Sequence, residues 1–252
     1  MNRKVDSMII GADRSGSTWL RYLCSENPEV YVCPVWQREF LSKKMVSRHR
    51  FYRPMKFNCP LDDYDGEKIV LGVRNMALYH SNKVAKLYFS HNKKMRFLLS
   101  LRNPIDRTFS QFMVRNLLIQ ENGGIPTFNI NEKLNAREPH VKRTMVYTLI
   151  KPYLDLFPKN QFYIYPMELM KKDTLYWLEK LYTFLEVPIK TPKSLKDLNK
   201  TANPGRYNKS DFVPMSEDSK RLLLGMCLSE IEGLSDLSKI DLLEVWDLKK
   251  YL

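Results

Sequence analysis

The sequence predicts an α/β domain with a central, mainly parallel sheet covered by helices in three layers. Three observations carry that prediction. Short apolar runs alternate with amphipathic segments along the chain, the order from which parallel sheets are built. The first run ends in glycine and passes directly into a helix start, at Ile9-Ile10-Gly11-Ala12-Asp13-Arg14-Ser15-Gly16-Ser17-Thr18-Trp19-Leu20. The length of 252 residues suits one large α/β domain, and the span 1–252 is expected to be a single one.

Each element follows from local pattern. Asp6 to Gly11 is a short apolar run and reads as a buried strand. Ser17 to Glu26 carries Trp19, Leu20, Leu23 and Cys24 at helical spacing. Val30 to Cys33 and Lys68 to Leu71 are short strand candidates. Between them Gln37 to Tyr64 is basic, aromatic and without period, so an irregular insertion at about 37–66 is expected to form a substrate wall. Ser81 to Ser90 reads as a helix with Val84, Leu87 and Tyr88 inward, and Arg96 to Leu101 as a strand. Asn103-Pro104 opens an amphipathic helix that reaches about Gln120. Asn122 to Pro126 is a turn cluster, and Asn129 to Pro139 is polar enough for a surface excursion. Val141 to Phe157 reads as a helix bent or broken near Pro152. Gln161 to Tyr165 reads as a buried strand, and Tyr176 to Leu185 as a helix with Trp177, Leu178, Leu181, Phe184 and Leu185 on one face. Thr191 to Pro214 is loop-like, and Ser216 is placed to cap a last helix. No repeat, heptad or low-complexity tract is present.

Composition narrows the partners. Lys and Arg number 41 against 28 Asp and Glu, a net charge of +13, which favours an anionic ligand. No basic and aromatic repeat supports nucleic acid as that ligand. No apolar run approaches the roughly 20 residues of a membrane helix, so a soluble, cytoplasmic protein is expected. Cys24, Cys33, Cys59 and Cys227 match no metal knuckle or disulfide framework and are expected to be buried thiols. No metal site is expected, and the sequence leaves the oligomeric state open.

The loop after the first strand is a phosphate cradle by composition. Gly11 and Gly16 permit close backbone approach, while Ser15, Ser17, Thr18 and a helix N-terminus offer donors to an anion. Gly11, Gly16 and Thr18 fit the nucleotide-triphosphatase pattern G-x-x-x-x-G-K-[ST], yet Ser17 stands where that pattern needs lysine, and the nearest cation is Arg14 inside the loop. A second constellation, Arg102-Asn103-Pro104-Ile105-Asp106-Arg107-Thr108-Phe109-Ser110, puts an arginine at the end of a strand and a serine on the following helix. In an open parallel sheet both would face the crevice at the carboxyl ends of the strands. A strand ending in arginine suits direct phosphate binding, where a kinase would end it in aspartate to hold magnesium.

Together these two motifs resemble the sulfotransferase superfamily that uses 3′-phosphoadenosine 5′-phosphosulfate (PAPS), nearest its bacterial and heparan-sulfate branch. Arg14-Ser15-Gly16-Ser17-Thr18-Trp19 resembles the family's 5′-phosphosulfate loop. Arg102 and Ser110 resemble its 3′-phosphate motif, and Asn203-Pro204-Gly205-Arg206-Tyr207 is similar to a late loop in which Gly205 and Arg206 would close over that phosphate, within a donor-closing segment at about 199–214. Phe162 to Val187 resembles the family's strand, E-x-L element and helix. The resemblance implies a P-loop-like strand-loop-helix that binds the donor without a metal and releases 3′-phosphoadenosine 5′-phosphate (PAP).

Catalytic roles follow from the same resemblance. Pro34-Val35-Trp36-Gln37-Arg38-Glu39-Phe40 is similar to the segment whose glutamate is the general base, which assigns that role to Glu39. Gly72-Val73-Arg74-Asn75-Met76 falls where the family carries a cation near the transferred group, which points to Arg74. Arg14 would stabilise the leaving phosphate oxygen. His80 is the other candidate base, and Trp36, Gln37, Tyr79 and His80 are candidate acceptor contacts. The expected activity is sulfuryl transfer to a hydroxyl or amine of a small metabolite or natural product. A small-molecule P-loop kinase and a glycan sulfotransferase are the alternatives.

Overall fold

The computed structural model describes residues 3–33, 61, 63–73, 78, 81–125, 129–192 and 212–252. Strand β1 (Ser7–Gly11) is buried along its whole length, and its side chains part to two sides as the period of two demands. Met8 and Ile10 enter one apolar core and Ile9 enters another. In β3 (Ile69–Val73) Val70 joins the first core, and Ile69, Leu71 and Val73 join the second. In β4 (Arg96–Leu101) Phe97, Leu99 and Leu101 face the first core and Leu98 the second. Strands apolar on both faces need cover on both, which is the three-layer arrangement.

With β2 (Val30–Val32) and β5 (Phe162–Pro166) the sheet has five parallel strands in the order β2-β3-β1-β4-β5. Helix α1 (Ser17–Ser25) leads from β1 to the β2 edge and buries Trp19, Leu20, Leu23 and Cys24 in the second core. Helix α2 (Ser81–His91) leads from β3 to β4 on the other face, burying Val84, Ala85 and Tyr88. The chain therefore leaves β1 toward one edge and β4 toward the other. The crevice at the carboxyl ends of β1 and β4 is the topological switch point where ligands of such sheets bind.

Helix α3 (Pro104–Glu121) follows β4 and buries Ile105 and Phe112 in the first core. Helix α6 (Val146–Leu154) and the long helix α9 (Glu217–Ser238) complete that face with Ile150, Tyr153, Leu223, Leu224 and Ile231. Phe97 is the aromatic centre of this core, 4.7 Å from Phe157, 5.0 Å from Phe162 and 5.4 Å from Tyr153 by ring centroids. Burying such a side chain stabilises the fold by about 1.5–3 kcal/mol. Helices α7 (Met167–Lys172) and α8 (Thr174–Leu185) return over the second core. Ser216 caps α9 as expected, its Oγ accepting from the Ser219 amide at 3.2 Å.

Three expectations are corrected. Residues 129–139 lie mostly at the surface but are neither irregular nor loose: α4 (Ile130–Lys133) buries Ile130, Leu134 joins the same core, and α5 (Pro139–Lys142) follows. The helix read over Val141 to Phe157 is interrupted between Lys142 and Val146, not at Pro152, which lies inside α6. The reason is Thr144, whose hydroxyl turns back to the His140 carbonyl at 3.1 Å and meets Thr108 Oγ1 at 3.0 Å, in competition with the helical ladder. The cysteines also divide. Cys24 and Cys227 are free and buried, and burial pushes each thiol up to about 12. Cys33, directly after β2, is disulfide-bonded, because pairing is set by spatial approach that sequence spacing does not reveal. Cys59 lies outside the described residues. No helix among the described residues is long and apolar enough to cross a membrane.

Candidate active site

The site starts from the turn between β1 and α1. Gly16 is the N-cap of α1 in the left-handed conformation, with φ 84° and ψ 12°. A Cβ there would lie 2.3 Å from Met167 Sδ, so the position needs glycine for both conformation and space. As glycine, the N-cap has no side chain with which to cap the helix, and no acidic residue lies in its first turn. The first four amides of a helix have no intrahelical partner, and with the dipole they attract an anion. Thr18 is exposed on that turn, whereas Ser15 and Ser17 are buried.

The turn is held from one side. The Asp13 carbonyl accepts from Arg107 Nε at 3.2 Å, the Arg14 carbonyl from an Arg102 Nη at 2.7 Å, and the Ser15 carbonyl from Ser100 Oγ. Three successive carbonyls are thus taken by side chains of β4, of α3 and of Arg102 in the link between them. A trans peptide points its N–H opposite to its C=O, so the amides that follow turn away from β4 and α3. Arg14 has φ 70°, a left-handed conformation that costs a non-glycine residue about 1–2 kcal/mol and that these contacts offset. Its Nε donates to Ser110 Oγ at 3.1 Å.

Arg102 and Ser110 are brought to this loop because β4 pairs with β1 in register, Ser100 lying opposite Gly11. Asn103 then fixes the start of α3: its side chain accepts from the Ile105 amide at 2.9 Å and the Asp106 amide at 3.3 Å, ahead of Pro104. Glu168, from α7, accepts from the Asn103 amide at 3.0 Å through one oxygen and from Trp246 Nε1 at 2.9 Å through the other. Trp246 follows the short helix α10 (Leu242–Val245). A cavity of about 20 Å³, room for one water molecule, lies beneath the loop between Ser15, Arg102, Arg107, Glu230 and Trp246.

On the other flank, Arg143 approaches the Asp13 carboxylate at 3.7 Å. His140 Nε2 accepts from Arg115 at 3.2 Å, and the ring packs edge-on against Phe112. Burial, and then the nearby Arg115, Arg143 and Arg107, lower its pKa to about 4, so the ring is neutral at neutral pH.

The structure therefore brings together Arg14, Ser15, Gly16, Ser17, Thr18, Arg102 and Ser110. Trp19 lies in the first turn of the same helix, and its side chain is 4% exposed in the core that also holds Ile9, Leu20 and Leu23. Glu39, Arg74, His80, Gly205 and Arg206 lie outside the described residues, as do Trp36, Gln37 and Tyr79. Sequence reasoning passed over Ser100, Arg107 and Glu168. Arg107 carried a usable signal: helical spacing puts it on the buried stripe of α3 near Thr108 and Ser110, where a charge requires compensation.

The sequence matches the model of the Sulfotransferase domain family over residues 4–220. A search of curated protein sequences returns no match. Among solved structures, a sulfotransferase from Alicyclobacillus acidocaldarius superposes with a TM-score of 0.72 at 21% identity, covering 97% of this chain and 99% of its own. The sulfotransferase domain of the Synechococcus PCC 7002 olefin synthase gives 0.55 at 14% identity, over 94% of this chain and 97% of its own. Mouse sulfotransferase SULT7A1 in complex with PAP gives 0.51 at 12% identity, over 99% of this chain and 90% of its own. At such identities the structures speak for the fold. The family match spans most of the chain, and with the switch-point loop it gives the identification: this chain belongs to the sulfotransferase family.

Proposed function

We propose that the enzyme transfers a sulfuryl group from PAPS to a hydroxyl or amine of a small metabolite or natural product. The observation that carries the reading is the convergence of Arg14, Arg102 and Ser110 on one uncapped helix N-terminus. That donor set fits a ligand with phosphate at two positions, with Ser17 where a kinase needs lysine. PAPS supplies the sulfuryl group and an anionic leaving group. The amides of Gly16, Ser17 and Thr18 and the Arg14 guanidinium would hold the 5′ end, where charge builds as the sulfur–oxygen bond breaks. Arg102, Ser110, Gly205 and Arg206 would hold the 3′-phosphate. Glu39 would take the acceptor's proton as its oxygen or nitrogen attacks, and Arg74 would lie near the transferred group.

The olefin-synthase domain among the structural relatives favours a biosynthetic acceptor over a glycan. A single domain over 1–252 and a cytoplasmic location belong to the same reading, although a disulfide such as that at Cys33 is a feature of oxidising compartments. The test is transfer of label from ³⁵S-PAPS, with chelator, to hydroxyl and amine acceptors, beside transfer from γ-labelled ATP with magnesium. Sulfated product that disappears in Glu39→Gln is expected. Phosphorylated product would establish the kinase alternative, and full turnover by Glu39→Gln would move the base to His80 or elsewhere.

A further inference from the structure

Arg107 is 1% exposed, and a guanidinium so deeply buried demands hydrogen bonds on several sides. Its Nε donates to the Asp13 carbonyl at 3.2 Å, and one Nη donates to the His140 carbonyl and to Thr144 Oγ1, both at 2.6 Å. One planar fork thus joins the donor loop to the corner between α5 and α6. The corner reaches the same loop residue a second time, through Arg143 and the Asp13 carboxylate. Asp13 immediately precedes Arg14, whose left-handed backbone persists only while its neighbours hold it.

From this geometry we infer that Arg107 is a positioning residue: it fixes the turn at Asp13 and Arg14, so that the α5–α6 corner sets how well the loop receives its anion. The inference rests on the reading of that loop as the donor site. Arg107 touches no ligand in this scheme. It acts by fixing one carbonyl of the loop and, through the rigid peptide, the direction of the amide that follows. A lysine could keep the charge but could not serve the loop and both corner acceptors with one planar group.

The probe is PAP, titrated calorimetrically into the wild-type chain, Arg107→Ala, Arg107→Lys and the control Val141→Ala, which trims the buried packing of α5 and leaves the three acceptors of Arg107 in place. Arg107→Ala is expected to bind PAP about 10- to 100-fold more weakly, with Arg107→Lys between it and wild type. Val141→Ala is expected to lose melting temperature yet bind within about twofold of wild type. Wild-type affinity in Arg107→Ala, or an equal loss in Val141→Ala, overturns the inference while leaving the donor site intact. A wild-type chain that does not bind PAP removes the functional reading itself. Hydrogen exchange on the wild-type chain needs no variant: PAP is expected to slow exchange in both 11–18 and 139–146, and protection confined to the first segment also overturns the inference.

Discussion

Arg14 Nε lies 3.1 Å from Ser110 Oγ, tying the loop after β1 to helix α3 across 96 positions of sequence. The contact exists because β1 and β4 are parallel neighbours whose carboxyl ends open on one crevice. An anion entering that crevice meets a guanidinium and a hydroxyl already engaged with each other, and must offer each a better partner. A charge-assisted bond to phosphate meets that condition, being roughly twice as strong as a neutral one.

Gly16→Ala is expected to damage stability and the site together. The substitution places a side chain at φ 84° and drives its Cβ toward Met167 Sδ. Left-handed strain and overpacking together are expected to cost about 2–4 kcal/mol, read as a lower urea midpoint. Met167→Ala in the same chain is expected to recover only the packing share, since the backbone strain stays.

Glu168→Gln tests the tie between α7, Asn103 and Trp246. The carboxylate accepts from two donors, one at each oxygen, and the amide replaces one acceptor with a third donor. A loss of about 1–3 kcal/mol is expected in urea unfolding followed by tryptophan fluorescence. An unchanged midpoint would show that α3 is held in place by its other contacts alone.

His140 gives a pH signature. Its folded pKa of about 4 lies below the unfolded value of 6.5, so the unfolded chain binds the proton more tightly. The contribution is complete above pH 6.5 and is lost progressively as pH falls toward 4. His140→Gln is expected to flatten that part of the stability profile, and an NMR titration of the His140 ring in the folded chain is expected to show no protonation near pH 6.5.

The thiols separate by chemistry as well as by place. Peptide mapping without reductant is expected to recover the Cys33 peptide as a disulfide, and Cys24 and Cys227 as thiols alkylated only after denaturation. Alkylation of Cys33 in the native, unreduced chain would contradict this.

The elements most visible in the sequence are those whose pattern is local. Ser7–Gly11, Arg96–Leu101 and the Asn103-Pro104 helix start were legible because an apolar run, a glycine and a cap each act within a few residues. Arg14, Arg102 and Ser110 were legible as a pair of motifs, and the sheet order then explains why they meet. What escaped depends on distant partners. Thr144 breaks a helix that Pro152 was expected to break, because it answers to Thr108 and Arg107 on another helix. Ile130 and Leu134 lie in a polar stretch, and only the core they enter reveals them as α4 and its anchor. Trp19 reads as a donor-loop residue by position in the motif and as a core residue by the face of α1 on which it falls.

The most direct test of the donor site is a PAP binding isotherm for the wild-type chain beside a chain carrying both Arg102→Ala and Ser110→Ala. Wild-type binding that falls by about 100-fold in the double variant, with magnesium and ATP failing to displace PAP, is the result expected. No binding by the wild-type chain, or binding that survives both substitutions, would contradict the account.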